Sequence, residues 1–339
     1  MIIEVKDIRR SFRSTKKEEG MKGTLGLLFN RKYQEHEALK GVSFSIEPGS
    51  FNGLIGANGA GKTTLLKILA GLIPPSSGKA QVLGYTPFKR SLDFRRKIAL
   101  VMGQKAQLWW DLPARDAFEL LQAIYEIPLK TYKERLHTLA ELLDVQNHLG
   151  TQIRRLSLGE RMKMELIGAI IHWPSVIFLD EPTIGLDVLA AHKLREFLKV
   201  FNQREKATII LTSHNMDDIE RLCSRVLILR SGALIYDGRP QGLTQEGERL
   251  LRIRFLNPPS IEELQRTTGL AAKLIQPSTQ NTSPDEDPGA ILFNIKQDQI
   301  VSVLQAVMNR FEIIDMGIEG QSLEKVIQGI YSEEKTGSA

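Results

Sequence analysis

The amino-acid sequence predicts an α/β fold with a helical insertion and a small C-terminal α+β unit, and three observations carry that expectation. Short, β-branched, apolar runs recur at residues 2–8, 42–46, 50–55, 98–102, 176–179, 208–212 and 226–229, with helical segments between them. Runs apolar on both sides are the pattern of strands buried within an α/β sheet. A glycine-rich stretch links the run 50–55 to an amphipathic helix carrying Leu65, Leu66, Ile68 and Leu69. After Gly238 the composition turns to Gly, Gln and charge, which reads as a domain edge.

The elements follow in order. Residues 1–12 alternate as a strand, and charge at Glu4, Lys6 and Asp7 excludes the apolar block of a signal peptide. Residues 13–36 gather Lys and Arg around Leu25, Leu27, Leu28 and Phe29. This segment is either a contact to a membrane or membrane partner, or a loop docked on its own domain. Between 104 and 157 the period becomes helical, with Phe118, Leu121, Ile124 and Tyr125, then Leu136, Leu139, Leu142 and Leu143. The C-terminal unit has strand patterns at 251–255, 272–276, 290–295 and 313–318, and helical patterns at 261–267, 298–310 and 323–331. Its stretch 277–289 is polar and Pro-rich, the composition of an exposed hairpin loop.

Composition narrows the functional classes. A net charge of +5 from 45 basic and 40 acidic residues is too mild for a nucleic-acid footprint. The single cysteine, Cys223, excludes an internal disulfide and a multi-cysteine zinc site, and suits a reducing compartment. The longest apolar stretch, 164–179, is broken by Glu165, His172, Trp173 and Pro174, so it falls short of the ~20 apolar residues a spanning helix needs.

Three motifs carry chemistry. Gly56, Asn58, Gly59, Ala60, Gly61, Lys62, Thr63 and Thr64 lie between a strand and a helix, where backbone N–H groups and the helix N-terminus attract polyphosphate. Lys62 is placed to reach the β and γ phosphates, and Thr63 offers a hydroxyl to Mg²⁺. The run 176–181 ends in Asp180 and Glu181 at the edge where α/β sheets bind ligands. Asp180 suits the metal, and Glu181 suits polarising water for in-line attack. Ser157 and Gly159 open a third helix and present further backbone donors.

Taken together these residues resemble the nucleotide-binding subunits of ATP-binding cassette (ABC) transporters over residues 1–242. The Gly56–Thr64 loop is similar to Walker A, Gln104 to the Q-loop glutamine, and 156–160 to the signature motif. Residues 176–181 are similar to Walker B with its catalytic glutamate, 185–187 with Asp187 to the D-loop, and His214 to the switch histidine. The resemblance implies a P-loop NTPase fold of the ABC ATPase type, with a mixed sheet core, a helical subdomain at about 105–156, and an α+β domain over 243–339. It implies hydrolysis of ATP with Mg²⁺ held by Thr63, Gln104 and Asp180, and catalysis by Glu181, His214, Gln104 and Lys62. It also implies a second nucleotide-binding subunit, each ATP lying between Lys62 of one copy and Ser157 and Gly159 of the other. Partners would be separately encoded integral membrane permeases, with this chain cytoplasmic and peripheral on the inner face of the cell membrane.

The sequence departs from the family pattern with Leu158 and Glu160 where many members have Gly and Gln. The adenine-stacking aromatic would be Phe12, with Tyr33 as rival. Residues 109–113, containing Trp109 and Trp110, read either as an interface anchor or as core. The C-terminal ending, 320–326, resembles the drug- and antibiotic-exporter branch. Two other classes compete. A relative acting on ribosomes or DNA usually has two cassettes, a coiled-coil insert or zinc cysteines, none of which is present. A non-hydrolysing switch is disfavoured by the presence of Lys62, Asp180, Glu181 and His214.

Overall fold

The computed structural model describes residues 1–15, 33–103, 106–243, 248–277 and 290–320. The heart of the basic stretch, Gln104, the Pro-rich loop and the expected helix 323–331 lie outside the described residues. The chain divides into two compact units, Met1–Arg239 and Pro240–Ala339.

Among the described residues the first unit contains two sheets. Strands β1 (Ile3–Thr15), β2 (Tyr33–Ile46) and β4 (Ser77–Val82) form an antiparallel sheet in the order β2-β1-β4. Strands β3 (Phe51–Ile55), β5 (Ile98–Met102), β6 (Val176–Asp180), β7 (Thr208–Thr212), β8 (Arg225–Arg230) and β9 (Ala233–Gly238) form a second in the order β5-β6-β7-β3-β8-β9. The first five of these in sheet order run parallel, and β9 returns antiparallel to β8. Every residue of β3 and β7 is buried, as two-sided coverage of a parallel sheet demands. The mixed sheet and flanking helices match the architecture that the resemblance implied.

Helix α1 (Lys62–Leu69) follows β3, and Leu65, Leu66, Ile68 and Leu69 are all sealed from solvent. They join one core with Ile3 and Val5 of the antiparallel sheet and with Phe178, Ile210 and Leu227 of the parallel one. Each such side chain contributes roughly 1.5–3 kcal/mol on burial, so α1, and with it the loop before it, is wedged between layers. Helix α2 (Leu92–Arg95) leads into β5. The expected helical insertion is α3 (Ala114–Ile124) and α4 (Leu129–Leu142), closed around Phe118, Leu139 and Leu143. Helices α5 (Leu158–Ile170), α6 (Val188–Glu205) and α7 (Met216–Leu222) follow. Cys223 is buried, and burial pushes its thiol up from the ordinary value.

The second unit is an antiparallel sheet, β11-β12-β10-β13, from β10 (Glu248–Phe255), β11 (Ile275–Pro277), β12 (Ala290–Lys296) and β13 (Ile313–Gly320). Helices α8 (Ile261–Thr268) and α9 (Ile300–Met308) supply Leu264, Val303 and Val307 to a core shared with Leu251, Ile253 and Phe293. The strand expected over 272–276 is corrected: Ala272–Leu274 is a tight 3₁₀ turn, closed by Leu274 N–H on Ala271 O at 2.9 Å, and only Ile275–Pro277 pairs. The alanine and lysine that open it have little to gain on a pleated surface.

Candidate nucleotide site

The glycine-rich loop closes on its own lysine. Gly61 stands at φ +105°, and a Cβ there would lie 2.6 Å from the carbonyl oxygen of Ala38. The chain can therefore enter α1 only as glycine. The ammonium of Lys62, almost fully buried, donates to Gly56 O at 2.6 Å and Ala57 O at 3.2 Å. Burial lowers its pKa, and the nearby carboxylates of Glu181 and Asp180 oppose that shift. Two of the three ammonium donors are committed to shaping the loop.

Parallel register brings the acidic end of β6 to this loop. Asp180 pairs with Thr212 at the level ends of β6 and β7. Asp180 Oδ2 accepts from the Thr63 hydroxyl at 2.8 Å, and Oδ1 accepts from the Thr212 hydroxyl at 2.7 Å. Thr212 Oγ1 in turn accepts the Glu181 N–H at 3.0 Å. Glu181 itself sits at φ +54°, a left-handed conformation unusual for this residue. Its Oε1 lies 2.8 Å from Nε2 of His214.

Behind this pair lies a buried clamp absent from the sequence reading. Asp218, fully enclosed, accepts from Arg195 Nη1 at 2.8 Å, Thr183 Oγ1 at 2.6 Å and Ser213 Oγ at 2.6 Å. One carboxylate thus ties the segment after Glu181 to the residue before His214. Glu181 also borders a cavity of about 340 Å³ shared with Thr183, Arg195, Ser213 and His214.

A cleft of about 260 Å³ runs along the loop, lined by Phe12, His36, Ala38, Ala57 through Thr64, and Glu181. Of these, Asn58 and Gly59 are exposed and Ala60 is buried. Phe12 is part-exposed, with the Arg10 guanidinium 4.6 Å from its ring centroid. Of the two aromatics considered, Phe12 lines the cleft; the side chain of Tyr33 lies outside the described residues. His36 was missed because residues 13–35 separate it from Phe12, although β1 and β2 pair the two directly.

Other expected residues fall elsewhere. Neither Ser157 nor Gly159 lines that cleft. Ser157 caps α5 in a reciprocal box with Glu160, and Asp187 caps α6 through Ala190 N–H at 2.8 Å. Gly103, the last described residue before Gln104, donates its N–H to Asp180 O at 2.8 Å, and a Cβ on it would meet Glu181 O at 2.1 Å. Trp109 and Trp110 are exposed, which removes the core reading for them.

Among the described residues no group of three or more His, Cys, Asp or Glu could hold a metal alone. Thr63 and Asp180 nevertheless fit Mg²⁺, which favours hard oxygen donors and completes its shell with water and phosphate. Among the described residues no helix is long and apolar enough to cross a membrane.

Comparison with known proteins agrees with this architecture. The family model "ABC transporter" matches residues 39–184. The ATP-binding protein NatA of Bacillus subtilis is 33% identical over 67% of this chain and 92% of its own length. The Nod factor export ATP-binding protein I of Rhizobium etli is 30% identical over 87% of this chain and 93% of its own. The solved ATP-binding subunit of an ABC transporter superposes with TM-score 0.59 at 26% identity, covering 72% of this chain and 92% of that one. A dimeric ATP-binding cassette in a post-hydrolysis state, bound to ADP and Pi, shares the fold with TM-score 0.58 at 22% identity, covering 70% of this chain and 98% of that one. The chain belongs to the ATP-binding subunits of ABC transporters, a family of ATPases.

Proposed function

We propose that this subunit hydrolyses ATP at a composite site between two nucleotide-binding subunits and so energises a separately encoded membrane permease, most simply an exporter. The observation that carries the reading is the hydrogen-bonded chain from Thr63 through Asp180 and Thr212 to the Glu181 N–H, with Glu181 lining the phosphate-loop cleft and its carboxylate against His214.

In this reading the loop amides and Lys62 receive the β and γ phosphates, and Phe12 stacks on the base. Thr63 and Asp180 would hold Mg²⁺, which would supply charge neutralisation on the phosphate oxygens. Glu181 orients water and takes its proton, while His214 holds Glu181 and contacts the γ phosphate. Ser157 and Gly159 of a second copy, or of a similar subunit, close the site from the other side. Trp109 and Trp110 form the aromatic anchor toward the permease, placing the protein peripherally at the cytoplasmic face of the membrane. The names of the Nod factor export relatives support the export direction.

Steady-state phosphate release and nucleotide binding test the reading together. Glu181→Gln retains ATP binding and loses at least about a hundredfold in turnover, the scale of a missing general base. Lys62→Ala loses nucleotide. Robust hydrolysis by either variant overturns the assignment, and failure to co-purify with a polytopic membrane protein overturns the permease.

A further inference from the structure

Glu160 stands on the residue that the composite site needs free. Its Oε2 accepts from the Ser157 backbone N–H at 2.9 Å and from the Ser157 hydroxyl at 2.8 Å. A serine hydroxyl has one proton to give, so a hydroxyl committed to Glu160 is not donated to a phosphate. Donating to an anionic phosphate across the interface requires that proton to change acceptors. It also brings the phosphate charge beside a carboxylate whose hydrogen bonds from Ser157 lower its pKa and favour the ionised form.

A second partner is already in place. Oε1 of Glu160 lies 3.2 Å from Nε2 of His148, on the short turn Gln146–His148 that precedes α5. The carboxylate is therefore shared, one oxygen on the phosphate-binding serine and the other on a histidine of a different element. Release of Ser157 leaves Glu160 attached to His148.

We propose that Glu160 is a latch on the signature half-site. It occupies the Ser157 donors in the isolated subunit, and ATP-driven closure must transfer it wholly to His148. The latch rests on the composite-site reading above and adds to it a threshold: the ATP concentration at which two subunits join is set by how readily Glu160 lets go. Glutamine at this position preserves the reciprocal cap, since either Glu or Gln serves at that place in a capping box, but removes the charge.

The test uses the full chain carrying Glu181→Gln, in which ATP-bound dimers accumulate without turnover, and follows dimer formation by light scattering across an ATP titration. Adding Glu160→Gln is expected to lower the half-maximal ATP concentration about tenfold or more. Adding His148→Gln, which weakens the alternative partner, is expected to raise it. ATP binding to the Walker A loop of the monomer, read at low protein concentration, stays unchanged in both, as does thermal stability, so a general folding defect would be visible. Dimers that form at the same ATP concentration with and without Glu160→Gln overturn the latch and leave the composite site standing. Chains that bind ATP yet stay monomeric at saturating ATP in every variant overturn the composite site, and the latch with it.

Discussion

Nε2 of His214 lies 2.8 Å from Oε1 of Glu181, so two groups carried on the ends of neighbouring strands are engaged with each other before any nucleotide arrives. Replacing the imidazole by a methyl group frees the carboxylate to rotate. His214→Ala is expected to lower turnover about 10²–10⁴-fold, the span associated with a positioned proton-transfer group, with ATP affinity changing far less. Phosphate release at saturating ATP, set beside equilibrium binding, checks this; retained turnover would remove His214 from the reaction.

Asp218 is enclosed and compensates the charge of Arg195, itself only 7% exposed. Asp218→Ala leaves that guanidinium buried without its carboxylate, at a cost of about 3–5 kcal/mol. The urea midpoint of the first unit should fall accordingly. The double replacement Arg195→Met with Asp218→Leu should recover a substantial part of the loss, because no lone charge is left inside.

His172 makes stability depend on pH in a definite direction. Its ring stacks on Tyr125 at 4.0 Å and its Nε2 donates to Ile98 O at 3.0 Å, while Nδ1 is buried without a hydrogen-bond partner. Burial lowers its pKa from 6.5 to about 4, against the opposing pull of the Ile98 carbonyl. Between those values the unfolded chain binds more protons than the folded one, so stability rises with pH across the window and is lost as pH falls through it. The contribution is complete above pH 6.5 and amounts to about 3 kcal/mol at most. His172→Phe, which keeps the stack, should flatten the difference in unfolding free energy between pH 4 and 6.5 relative to wild type.

Phe12 is expected to hold the base rather than the phosphates. Phe12→Ala should weaken ATP and ADP about equally, by roughly tenfold, since stacking of a base on an aromatic ring is worth about 1–3 kcal/mol. His36→Ala tests the cross-strand neighbour in the same titration. A loss confined to ATP would place these rings at the γ phosphate instead and refute the assignment.

Local patterns were legible in the sequence, and long-range convergence was not. The phosphate loop could be read because its glycines, Lys62 and Thr63 are contiguous and bounded by a strand and a helix. The strands β4 and β9 escaped notice because they are edges with few buried positions: Ala80 and Val82 alone are buried in β4, and β9 has none. The clamp on Asp218 joins Thr183, Arg195 and Ser213, each unremarkable in its own stretch. Only the parallel alignment of β6 with β7 brings them to one point. The same limit hid the Glu160–His148 pair, whose members lie 12 residues apart across a turn.

The missing side chain of Gly103 has a mechanical meaning. With the Asp180 carbonyl receiving its N–H and the Glu181 carbonyl pressed where a Cβ would stand, the end of β5 and the Asp180–Glu181 peptide share one close joint. A larger side chain at Gly103 would force the ends of β5 and β6 apart. The spacing between the two strand ends is therefore set by one missing methyl group.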